Sequence, residues 1–138
     1  MKRSTRVGAV GVAAVVMATV LSGCMGGADF AVLEKEPQAA DALPDAAVDD
    51  NDGVVAPDTA RFVGKDGDVS LWLARPASGS GICVVAYQSD DAYATGCADN
   101  GTWVRLSGEL GTYEVAPDGS PAPEGTERLF DNVFVPAG

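Results

Sequence analysis

Three cysteines, at positions 24, 83 and 97, and a scatter of carboxylates are the groups in this sequence best suited to chemistry. The 138 residues include no histidine. Neither a Ser-His nor a Cys-His nucleophile pair can therefore form, and the commonest general base near neutral pH is missing. A serine activated by lysine would have to use Lys65, the single lysine after residue 57, in a segment that reads as an exposed hairpin. Asp58-Thr59-Ala60 follows Pro57 and has no second copy in the chain with which to share a proton, so it reads as a turn.

The remaining carboxylates group as Asp66/Asp68, Asp90/Asp91 and Asp99, all beside turn formers, and read as solvated turns. The run Asp49-Asp50-Asn51-Asp52-Gly53 has the flavour of a calcium loop, but Val48 and Thr59 stand where the first and last carboxylate ligands belong. A carboxylate pair of the glycosidase kind finds little room for a sugar cleft in so small a domain. The expectation is no catalytic residue, no metal and no cofactor. Trp72, Trp103, Tyr87 and Tyr93 are candidates for a ligand surface, and Tyr113 is a further aromatic; core packing is their competing role.

The elements around Cys24 give that residue its meaning. A basic start, Met1-Lys-Arg-Ser-Thr-Arg6, precedes an apolar stretch from Val7 to Leu21, and Leu21-Ser22-Gly23-Cys24 closes it. As a helix those apolar residues would span ~22 Å at ~1.5 Å each, short of a hydrocarbon core of ~30 Å. The order and flanks fit a processed export signal. The closing tetrapeptide resembles the lipobox of bacterial lipoproteins. The resemblance implies removal of residues 1–23 and lipid attachment to Cys24, with the protein held at the cell membrane on its extracytoplasmic face. Two or three acyl chains would anchor it stably, since each buried methylene adds ~0.8 kcal/mol.

Three of the nine basic residues lie in the signal, which leaves six against 20 acidic ones and a net charge near −14. Such a surface repels phosphate backbones, so no nucleic acid is expected as a partner. Residues 24–57 carry eight carboxylates, Pro37, Pro44 and Pro57, and few apolar side chains. They read as a lipidated N-terminus followed by a disordered acidic spacer, able to reach ~110 Å if extended at ~3.3 Å per residue.

Residues 58–138 read as a mainly β domain, a small antiparallel sheet or barrel-like arrangement with one disulfide. Arg61–Lys65 and Asp68–Arg75 flank Asp66-Gly67, a hairpin signal. In the second of these, Val69, Leu71 and Leu73 alternate with Ser70, Trp72 and Ala74. Ile82–Tyr87 and Ala92–Cys97 form a hairpin centred on residue 90, which sets Tyr87 against Tyr93 and Cys83 against Cys97. In an oxidising compartment those cysteines pair. Thr102–Leu106, Thr112–Val115 and one strand over Arg128–Val135, bent near Asp131-Asn132, complete the set.

Arg61-Phe-Val-Gly64, Leu71-Trp-Leu-Ala-Arg75, Ile82-Cys-Val-Val-Ala-Tyr87 with Cys97, Pro117-Asp-Gly119 and Asn132-Val-Phe-Val135 make the domain similar to small actinobacterial lipoproteins. That resemblance supports the architecture and implies no activity. The expected function is a cell-envelope binding or structural module, meeting an envelope protein or a wall component. A small carboxylate-based enzyme and a ligand or metal sensor are the alternatives.

Overall fold

The computed structural model describes residues 29–50, 53–98 and 102–138. Residues 1–23, expected to be an export signal, together with Cys24 and Asp99, lie outside the described residues, as do Asn51 and Asp52 of the acidic run.

Strands of alternating burial build two antiparallel sheets. β1 (Arg61–Asp66), β2 (Val69–Ala74), β3 (Ile82–Ser89) and β4 (Ala92–Ala98) pair in sequence order. β5 (Val104–Gly108), β6 (Gly111–Val115), β7 (Thr126–Phe130) and β8 (Val133–Pro136) pair in the order β5-β6-β8-β7. The mainly β architecture expected from the sequence is thus present. The first hairpin turns on Gly67-Asp68, one residue later than expected, because Asp66 pairs with Val69 and Gly67 takes the positive φ of 57°. The strand expected over 128–135 is a hairpin: Phe130 pairs with Val133, and Asp131-Asn132 form its two-residue turn.

Alternation along β2 separates two cores. Val69, Leu71 and Leu73 face inward with Ile82, Val84 and Ala86, and meet Tyr113, Val115 and Val133 of the second sheet. Trp72 and Ala74 point the other way with Cys83 and Val85. A sheet with one wet face would leave that outer set exposed. Here the chain before residue 61 covers it.

This is the chief departure from the sequence reading. Residues 29–50 and 53–57, expected to be part of a solvated spacer, lie packed against the sheets. Phe30 is fully buried in the inner core, with the Arg75 guanidinium 5.9 Å from its ring centre. Leu43, Ala47 and Val55 cover the outer face. The segment uses short structures: 3-10 turns at Ala31–Glu34, Ala39–Asp41 and Pro57–Thr59, and one helix, α1 (Asp45–Asp49). Its apolar residues are few, but Phe30, Leu33, Leu43, Ala47 and Val55 are buried against the sheets, while Val54 is left exposed. Among the described residues no helix is long and apolar enough to cross a membrane.

Cys83 and Cys97 are bonded across the β3–β4 ladder, directly opposite each other with Cα atoms 4.1 Å apart. Closing that hairpin contributes ~3 kcal/mol through loop-closure entropy. At the end of the sandwich near the Gly67 turn, the buried Tyr113 hydroxyl donates to Asp66 Oδ2 (3.1 Å). Burial, then the Asp66 charge and hydrogen bond, push the Tyr113 pKa up from 10.0 to about 12.

Two outcomes follow. Phe30→Ala lowers unfolding stability by ~3–5 kcal/mol in urea titrations, as for a large core side chain, whereas a residue in a solvated spacer would cost almost nothing. The Tyr113 contribution is complete below pH 10, the unfolded value, and disappears as pH rises through 12. Wild type should therefore lose ~2 kcal/mol over that window relative to Tyr113→Phe, measured as the difference between their denaturation midpoints.

Candidate functional site

β1 and β7 are the outer strands of their sheets, and no ladder joins them. They approach at one point. Gly64 sits at a bulge in β1 with φ 145°, and the Phe130 ring of β7 lies on it so closely that a Cβ there would fall 2.4 Å from Phe130 Cζ. Glycine is required by both the backbone angle and the ring.

Beside this contact the gap opens into a groove of about 420 Å³ lined by Val32, Lys35, Phe62, Val63, Leu129 and Phe130, with Asp118, Asp131 and Asn132 along one side. The 3-10 turn Ala31–Glu34 supplies Val32 and leads directly to Lys35. Asp118 holds that turn in place. Its Oδ2 accepts from Ala31 N (2.7 Å), its Oδ1 from Asn132 Nδ2 (2.8 Å), and its own N–H donates to Asp29 O (2.7 Å). Buried Asn132 also donates to Ala116 O (3.0 Å).

A second polar cluster fastens the segment at β1. Arg61 donates through Nε to Lys35 O (2.9 Å) and through Nη1 to Ala60 O (2.7 Å) and Asp58 O (3.3 Å). Asp41 lies 4.0 Å from Arg61 Nε and accepts from Phe62 N (2.8 Å) and Gln38 N (2.7 Å). These carboxylates hold backbone. Among the described residues no three His, Cys, Asp or Glu side chains group as a metal site. What remains open is a groove of mixed character, with the apolar side chains of Val32, Val63, Leu129 and Phe130 beside the exposed Lys35 and Asp131, a shape that could hold an extended chain.

The four aromatic candidates separate. Trp72, Tyr87 and Tyr93 form one row with Phe62 on the outer face of the first sheet: Phe62–Trp72 at 5.4 Å, Trp72–Tyr87 at 6.5 Å, both edge-on, and Tyr87–Tyr93 stacked at 6.4 Å. Trp72 is covered, its Nε1 donating to Ala40 O (3.2 Å). Tyr87 donates to Asp90 Oδ1 (2.6 Å), which with burial and the Asp90 charge raises its pKa, and Tyr93 donates to Asp50. Trp103, 49% exposed, stands apart beside Arg105, Glu114 and Pro123 on the second sheet. Sequence reasoning missed the groove because Lys35 lies in an acidic stretch that reads as spacer and the partners of Asp118 are distant in sequence. The Pro117-Asp-Gly119 pattern was visible, but its acceptor role depends on Ala31, 87 positions away.

Gly64→Ala should displace Phe130 and cost ~2 kcal/mol or more through strain and lost packing. Gly53→Ala, at a positive φ in open space, should cost less, and calorimetry of the two variants checks the contrast. Compared with known proteins, the chain matches no family model, no curated protein and no solved structure.

Proposed function

We propose that this chain is a membrane-anchored extracytoplasmic lipoprotein, lipidated at Cys24 after loss of residues 1–23, whose domain is a non-catalytic binding or structural module of the cell envelope. The observation that carries the module reading is the use of the site's polar side chains. Asp118, Asn132, Arg61 and Asp41 are committed to holding the segment that precedes β1, while the groove beside them sets the apolar side chains of Val32, Phe62, Val63, Leu129 and Phe130 among polar ones. Such a surface fits an extended segment of an envelope protein or a wall component. The Leu21-Ser22-Gly23-Cys24 tetrapeptide after an apolar stretch supports the anchor.

Two measurements test the reading. Cys24→Ser should move the protein from the membrane to the soluble fraction, and the wild-type N-terminal peptide should carry acyl mass. A Cys24→Ser protein that stays with the membrane would contradict the anchor. For the module, a photo-crosslinker at Leu129 should form an adduct in intact envelopes that the same probe at Trp103 does not; the reverse pattern would place the contact beside Arg105 and Glu114, away from the groove, and contradict the reading.

A further inference from the structure

We infer that the domain rides at the membrane surface rather than at the end of a long spacer, with the sandwich end that carries Asp29, Asp118 and the Asp131-Asn132 turn toward the lipid. The inference rests on the proposed lipid attachment at Cys24 and concerns what that attachment does to the domain's position.

The chain is captured almost as soon as the described residues begin. Asp29 O accepts from Asp118 N, Ala31 N donates to Asp118 Oδ2, and between them Phe30 is fully buried in the inner core. These contacts tie the segment to the loop after β6, so the entry point of the chain is fixed on the body of the sandwich. Cys24 and Asp29 are five residues apart. At ~3.6 Å per residue that stretch spans no more than ~18 Å whatever its conformation. A spacer running to residue 57 would have allowed ~110 Å. The packing of residues 29–57 removes most of that reach.

Orientation follows from where the leash attaches. Asp118 lies beyond the C-terminal end of β6, and Asn132, its hydrogen-bond partner, is in the β7–β8 turn at the same end. The Glu109-Leu110 turn between β5 and β6 lies at the other end of that strand. Eight residues separate Leu110 from Asp118, ~26 Å at ~3.3 Å each. A leash shorter than the molecule cannot let both ends face the bilayer equally. Charge works weakly against close approach, since the acidic body and anionic lipid repel, but over a screening length of only ~8 Å at physiological salt. The side of the groove formed by Asp118, Asp131 and Asn132 belongs to the lipid-facing end, so its partner would be met at the bilayer surface.

The test uses full-length acylated protein in liposomes of neutral lipid doped with nitroxide-headgroup lipid. A fluorophore is attached through Asp131→Cys in one sample and Glu109→Cys in another, both exposed turn positions. Each labelled variant is first shown to unfold at the wild-type temperature, and mass spectrometry first establishes the acyl groups on Cys24. The expected result is severalfold stronger quenching at 131 than at 109, and loss of the difference when a long Gly/Ser insert separates Ala28 from Asp29. An unmodified Cys24 sinks the lipid reading and the inference together. With acylation established, equal quenching at both positions, or stronger quenching at 109, overturns the inference alone.

Discussion

A guanidinium group enclosed between the N-terminal segment and the first sheet sets the terms for this fold. Arg61 is 8% exposed, and taking its charge out of water is tolerable because three backbone carbonyls accept from it and Asp41 supplies the opposite charge. Asp41 in turn accepts from the Phe62 amide, so the same pair satisfies an N–H of β1 that no neighbouring strand reaches. If the segment were withdrawn, a buried cation, a strand edge and the outer core of the first sheet would all be left without partners. The wrap and the sheet therefore stand or fall together.

That dependence explains the apolar faces of β2 and β3. Strands in a small sandwich normally bury one face, yet Trp72, Ala74, Cys83 and Val85 are buried on the side away from the second sheet. The disulfide lies on this outer side, under the same cover. At the opposite end of β1 from Arg61, Tyr113 reaches across from the second sheet to Asp66, so the two sheets are joined by a polar contact as well as by their shared core. Between β1 and β7 the closure is a single ring on a glycine, and the groove lies beside that thin join.

Much of the β architecture was legible because local rules specify it. In the β3–β4 hairpin the turn at Asp90-Asp91, with a one-residue bulge between Tyr87 and Ser89, sets Cys83 opposite Cys97 and Tyr87 opposite Tyr93, the pairs expected of a hairpin centred on residue 90. Alternation along β2 assigned Leu71 and Trp72 to opposite faces. The wrap was not legible, because average composition hides isolated anchors. Phe30, Leu33, Leu43, Ala47 and Val55 are separated by acidic stretches that resemble a solvated chain, and only the finished sheet reveals that each has a site. Asp118 and Lys35 were missed for a related reason: their neighbours lie far away in sequence. The β7–β8 hairpin was read as one bent strand although Asp131-Asn132 is itself a turn pair, a misjudgement of turn chemistry rather than of distance.

The functional reading follows the same economy. On the proposed reading, Asp118 and Asp41 serve backbone amides, and the groove beside Lys35 serves to hold a partner. All of this requires residues 29–57 to be an integral layer of the domain. Native-state hydrogen exchange measures that directly. The amides of Ala31, Leu33, Val48 and Phe62, bonded to Asp118, Phe30, Pro44 and Asp41, should open with nearly the same free energy as Val84 in the central strand. Exchange of the first three within seconds, while Val84 stays protected, would show a separate tail and contradict the account.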